Sequence, residues 1–201
     1  MDVRDSLLTA AVTVFAEAGA RGATTRRIAQ AAGVNEVTLF RHFHSKDELL
    51  HAALERFAER ATAASPLPLD PVDPPAELLA WCRDQHRELY RLRALIRKLM
   101  AEREEHPAHC AQGMQASVRI ARTLVRYLAE LKRRGLARGD WDERAAAAML
   151  MGAIFTDAMG RDTMPERYPY SMRAAVGKYV DLFLNAIGVE RQRARARRSP
   201  S

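Results

Sequence analysis

Residues 24–46 read TTRRIAQAAGVNEVTLFRHFHSK. Ile28, Ala29 and Ala32 recur at helical spacing, and Gly33 follows where a residue of positive φ stops a helix without a Cβ penalty. Asn35 stands where its side chain can accept a backbone N–H from Val37 or Thr38 and so open a second helix. That helix is expected from Glu36 to Phe43, with Leu39 and Phe43 turned inward. Ala29 and Ala32 are small, as two helices crossing steeply over a short turn require. Ser45 and Glu48 have capping-box spacing, which starts a third helix at Lys46. Outside stand Glu36, Val37, Thr38, Arg41 and His42, short side chains of mixed polarity at a helix start, suited to base edges in a major groove. The segment has the footprint of a helix-turn-helix reader; taken alone, it also fits a helical hairpin in an ordinary all-α core.

Working outward, every segment reads as helix and none shows strand alternation, so the fold class is all-α. Upstream, Val3, Leu7, Ala11, Val14, Phe15 and Ala18 form one helical face that supports the reader. Downstream, Leu50, Ala53, Leu54 and Phe57 give the third helix of the reader's edge an inner face as far as about residue 63. Pro66, Pro68, Pro71, Pro74 and Pro75 then interrupt helix formation. Beyond them, a helical stretch over 76–104 is broken near Arg91 to Ala94, and another starts at Pro107 and stops at Gly135. A further one is opened by Asp140 or Asp142 and reaches Gly160, and a last one is capped by Ser171 and ends at Ile187-Gly188. The last two are apolar most of the way round, which marks them as buried or paired across an interface.

The first fifty residues resemble the N-terminal domain of the tetracycline-repressor (TetR) family of bacterial transcription regulators. The match runs in order through Phe15-Ala16-Glu17-Ala18-Gly19, Ala23-Thr24-Thr25-Arg26-Arg27-Ile28-Ala29, Ala32-Gly33-Val34, Thr38-Leu39-Phe40-Arg41-His42-Phe43 and Ser45-Lys46-Asp47-Glu48-Leu49-Leu50. Past Leu50 it is only architectural. The resemblance implies that Thr25 and Lys46 contact phosphate, that Arg26 reaches a base or the backbone, and that Asn35, Glu36, Val37 and Thr38 read bases while Phe40, Arg41 and His42 lie along the backbone. Two residues depart from the family pattern. Phe40 lacks the hydroxyl of the usual tyrosine, and Val37 replaces a smaller residue or proline and offers an apolar contact to a thymine methyl. For Glu36 two roles stay open, acceptance from a cytosine amino group or a favourable charge at a helix N-terminus.

The domain organisation expected is a DNA-binding domain over 1–50, a helical regulatory and dimerisation domain over 51–188, with the proline-rich loop as the natural boundary between regulatory and DNA-binding parts, and a basic tail over 189–201. A homodimer joined by the last two helices is expected, with Met149, Ile154, Val176, Tyr179, Val180, Phe183 and Ile187 at its interface, reading a palindromic operator and released by a small-molecule effector. Trp81, His86, Tyr90, Met100, Met114, Tyr127, Met151 and Phe155 are the candidate pocket residues; filling a core is the plainer use of each. The expected role is that of a repressor in the bacterial cytosol, with no catalytic residue, no cofactor and no membrane partner.

Charge and cysteine content narrow the alternatives. The net charge of the 201 residues is +7, but Arg4, Arg21, Arg26, Arg27, Arg41 and Lys46 are matched in the first fifty by Asp2, Asp5, Glu17, Glu36, Asp47 and Glu48. Placement, rather than overall basicity, is what favours DNA. Arg191, Arg193, Arg195, Arg197 and Arg198 oppose only Glu190 in the tail, which reads as a disordered, solvated terminus or as a sequence-independent tether to DNA. No targeting segment precedes the first helix, and the longest apolar run, Ala145 to Phe155, is too short to span a bilayer. Cys82 and Cys110 form no metal-ligand pair and suit a reduced cytosol. Competing readings are a helical partner-binding module, a metal sensor built on His106, His109 and Cys110, a redox switch formed by Cys82 and Cys110, and, last, an all-α enzyme.

Overall fold

The structure, a computed structural model, describes residues 2–62, 66–105 and 107–189. Among them are nine α-helices and no strand: α1 (Val3–Gly22), α2 (Thr25–Ala31), α3 (Glu36–His42), α4 (Lys46–Thr62), α5 (Pro74–Arg91), α6 (Arg93–Ala101), α7 (Pro107–Arg133), α8 (Glu143–Gly160) and α9 (Met172–Ala186). The all-α expectation holds, and most helix ends fall near their predicted places; the exceptions are α5, which opens on Pro74 and Pro75 rather than after them because proline fits the first turn of a helix, and α6, which stops at Ala101 rather than 104. Leu92 interrupts the stretch between α5 and α6, Asp142 caps α8 by accepting from Ala145 N–H at 2.7 Å, and Ser171 caps α9. Gly33, Gly135 and Gly188 all take positive φ after helices, as a Cβ-free residue there permits.

The chain divides into two compact units, residues 1–63 with 88–119, and 64–87 with 120–201. In the first, α1 is the central beam. The expected face is buried at Leu7, Ala11, Val14 and Phe15, but Leu8, Ala10 and Val12 are buried too. The physical reason is that α1 is covered by α2 and α4 and, in addition, by α6. Leu95 of α6 belongs to the same apolar core as Ile28, Leu39, Phe43, Leu49, Leu50 and Leu54, and Leu99 packs against it.

A buried helix end must still satisfy its backbone groups. At Gly19 the chain of α1 leaves helical geometry (φ 70, ψ −177), and the freed peptide groups of Ala20 find charged partners. Its N–H donates to Glu102 Oε2, just past α6, at 3.0 Å, and its carbonyl accepts from Lys46 Nζ at 2.9 Å. A Cβ on Gly19 would press on the ends of the Glu102 and Lys98 side chains. Positive φ and close approach thus both call for glycine there. Arg56 of α4 and Asp5 of α1 form a further ion pair.

The second unit holds a buried polar knot in a mostly apolar interior. Asp157 of α8 is fully buried and lies 2.7 Å from Nε2 of the equally buried His86 on α5. It accepts Nε and Nη2 of Arg161 at 2.9 and 2.7 Å and the Tyr179 hydroxyl of α9 at 2.7 Å. Burial by itself raises the Asp157 pKa, but hydrogen bonds from Arg161, Tyr179 and His86 outweigh it and hold the carboxyl below its usual range. A lowered folded-state pKa stabilises at pH values above the unfolded value of about 4. That share is lost as pH falls through the unfolded value towards the folded one. Asp157→Asn should therefore destabilise the protein by about 3 kcal/mol in urea unfolding at neutral pH, because the donors of Arg161, Tyr179 and His86 are left facing a neutral amide. Below pH 4 the gap to wild type should narrow; a gap that stays constant to low pH would contradict this account.

Candidate DNA-reading surface

The turn between α2 and α3 is held by side-chain caps. Thr24 Oγ1 accepts from Arg27 N–H at 3.3 Å, and Asn35 Oδ1 accepts from Thr38 N–H at 2.8 Å. The same Asn35 oxygen also accepts the Thr38 hydroxyl at 2.9 Å. Gly33, at φ 72, makes the turn. Ile28, Ala29, Leu39 and Phe43 are buried as expected and fix the two short helices to α1 and α4. The start of α4 is capped by Ser45 Oγ, which accepts from Glu48 N–H at 3.1 Å. The reciprocal bond shifts by one residue, since Glu48 Oε2 accepts from His44 N–H at 3.0 Å.

The ten candidate DNA-binding residues fall into two groups. Arg26, Val37, Phe40, Arg41 and His42 are exposed, and Val37 and Phe40 are so by 70% and 49%, although both are large apolar side chains. The other five are engaged within the protein. Thr25 Oγ1 donates to Glu36 Oε2 at 2.7 Å, Asn35 and Thr38 bond each other, and Lys46 is half-buried on the Ala20 carbonyl. An ammonium has three donors, so Lys46 keeps two for other acceptors. Sequence spacing could suggest the Asn35 cap. It gave no sign of the Thr25–Glu36 bond or of Ala20, because both depend on how the helices cross.

Residues 7–64 match the family model described as bacterial regulatory proteins, tetR family. The reader of this chain is a TetR-family domain. The chain is 23% identical over 178 residues to the HTH-type transcriptional regulator UidR of Escherichia coli, covering 87% of this chain and 91% of UidR. Its reader is 39% identical over 56 residues to the HTH-type transcriptional repressor KstR2 of Mycolicibacterium smegmatis, or 28% of this chain and 27% of KstR2. A solved structure assigned to the TetR family of transcriptional regulators, from Mesorhizobium loti, shares the fold with a TM-score of 0.75 at 21% identity, covering 93% of this chain and 97% of that one. With these matches, the chain is a DNA-binding transcriptional regulator and not an enzyme. Regulators of the family act as dimers with small-molecule effectors.

Outside the reader, the structure rearranges the expected sites. Of the interface candidates, Ile154, Val176, Val180, Phe183 and Ile187 are buried inside their own unit, and Tyr179 is half-buried against Asp157. A side chain covered by its own chain offers little surface to a partner, whereas Met149, 72% exposed, offers more. The pocket candidates are dispersed. Trp81, His86 and Tyr127 are buried, with Tyr127 Oη donating to Glu77 Oε2 at 2.6 Å. Tyr90, Met151 and Phe155 are half-buried, and Met100 and Met114 face solvent. Recesses of about 500 and 410 Å³ in the second unit are lined by other residues, among them Tyr168, Tyr170, Lys178 and Asp181.

Burial pushes the Cys82 thiol up to about 12, so it stays protonated and unreactive at neutral pH. His106, the side chains of His109 and Cys110, and residues 190–201 lie outside the described residues. Among the described residues, no helix is long and apolar enough to cross a membrane.

The Asn35 cap sets both the stability of α3 and its entry angle. Asn35→Ala should lower the thermal stability of the protein by about 1 kcal/mol. Asn35→Asp should largely restore it, because the cap needs only a side-chain acceptor. If Asn35→Ala melts with the wild type, the cap is not holding the helix.

Proposed function

We propose that this regulator is a repressor that binds a palindromic operator as a homodimer in the bacterial cytosol and leaves it when a small-molecule effector binds the helical part of the chain. The observation that carries the DNA role is α3, a short capped helix whose outer side shows Val37, Phe40, Arg41 and His42 to solvent beside Arg26 of α2. Arg26 and the spare donors of Lys46 serve phosphates, and Val37 seats a thymine methyl. Residues 1–50 act as reader, 51–188 as regulatory and dimerising part, and the basic tail over 189–201 adds sequence-independent attraction.

Two-fold pairing would place two readers on the two halves of a palindrome. The surface that supports it is the exposed side of α8 and α9: Ala145, Ala148, Met149, Gly152 and Thr156 at spacings of three and four, with Ala174 and Leu182 on α9. Small residues let helices of two subunits approach closely, and Leu182 at 69% exposure is an apolar anchor. The effector would bind within the second unit, where Trp81 and Tyr127 are buried and Met151 and Phe155 half-buried, and these apolar side chains would part to enclose it. Binding that differs between two reader spacings by about 1 to 3 kcal/mol suffices for release.

Gel shifts on the region upstream of the protein's own gene test the DNA role. A complex that weakens with salt is expected, and Arg26→Ala should weaken it several-fold. No complex at low salt with any operator-sized duplex would refute it. Leu182→Glu should convert the dimer to monomer in sedimentation and abolish operator binding while the monomer stays folded. A wild type that sediments as a monomer at all concentrations would end the two-fold reading.

A further inference from the structure

Thr25 and Glu36 belong to different helices of the reader, yet they are bonded to each other across the turn, Thr25 Oγ1 donating to Glu36 Oε2 at 2.7 Å. Both are half-buried. When a helix-turn-helix docks, the first helix crosses the sugar-phosphate backbone while the first residues of the second reach base edges. The bond therefore joins a hydroxyl on the backbone-facing helix to a carboxylate on the base-facing one. In the free protein the carboxylate gives Thr25 the anionic oxygen acceptor that a phosphate gives in the complex. A threonine hydroxyl has one proton to donate, so it cannot serve both. The Thr38 hydroxyl does not compete for Glu36, because it donates to Asn35 Oδ1.

We propose that Glu36 is a specificity-determining residue that makes the Thr25 contact to phosphate conditional on the base beneath it. Opposite a cytosine, the N4 amino group offers Glu36 a donor. The carboxylate then moves to the base and Thr25 turns to the phosphate, so two contacts form together. Opposite guanine or thymine, the carboxylate faces only acceptor atoms and a methyl group. It stays on Thr25, the phosphate contact is not made, and its charge remains against acceptor atoms. A wrong base thus removes a backbone contact as well as a base contact, which sharpens discrimination beyond what one carboxylate-amino pair supplies. The inference rests on the DNA-reading role proposed above for Thr25 and Glu36.

The test uses the full-length chain and two probes: an operator recovered by selection from a random-sequence duplex pool, and an unselected random-sequence duplex. Glu36→Gln removes the charge but keeps an oxygen acceptor for Thr25. Glu36→Ala removes both. Fluorescence anisotropy should show Glu36→Ala binding the unselected duplex about fivefold more tightly than Glu36→Gln does. That gap should vanish when Thr25→Val is added to both, because the released hydroxyl is its source. On the operator, wild type should prefer cytosine at one position per half-site and Glu36→Ala should lose that preference. Equal binding by Glu36→Ala and Glu36→Gln, or a gap that survives Thr25→Val, would overturn the proposal and leave Glu36 as a bare charge. If wild type binds neither duplex at low salt, the DNA role of the surface itself fails, and the inference with it.

Discussion

The first unit depends on α1 being covered from more than one direction at once. A helix that faces the reader alone needs one apolar stripe; α1 also buries Leu8, Ala10 and Val12, because α6 lies on it too. Once its end is enclosed, its last peptide groups must find partners inside the protein. Ala20 solves this with a carboxylate on one side and an ammonium on the other. Charged partners make stronger hydrogen bonds than neutral ones, by roughly a factor of two. The same two side chains fix where α4 and α6 stand relative to the end of α1, and α2 and α3 are built on that frame.

The local features of the fold were legible in the sequence because they depend on neighbours in the chain. Gly33, Asn35, Ser45, Pro107, Gly135, Asp142 and Ser171 each mark a helix end by chemistry acting over a few residues, and each stands where expected. What spacing could not show was which side of a largely apolar helix is covered by its own chain. Ile154, Val176, Val180 and Phe183 are as apolar as any interface residue, yet they line the interior, and the small residues Ala145, Ala148 and Gly152 are left outside. His86 and Asp157 were equally opaque. A histidine and an aspartate far apart in sequence give no sign of being 2.7 Å apart in a core.

The reading surface has a chemistry of its own. Its formal charges cancel over the first fifty residues, so long-range attraction to DNA is weak there and contact geometry has to carry discrimination. Thr25, Glu36, Asn35 and Thr38 are satisfied by one another before DNA arrives, while the apolar Val37 and Phe40 are already open. Polar contacts to bases then form by exchange of existing bonds, and the free-energy gain of each is the difference between two hydrogen bonds rather than the whole of one.

The discontinuity of the first unit bears on how the protein is made. Residues 1–63 leave the ribosome well before 88–119, which complete the same compact unit. Chains grow at roughly 5–20 residues per second. For a few seconds of synthesis, the side of α1 destined for Leu95 and Leu99 is therefore an uncovered apolar strip on a nascent chain. Translation pauses before α6 would lengthen that exposure, and chaperones that recognise short apolar helices would find their site in this window and lose it once α6 closes over α1.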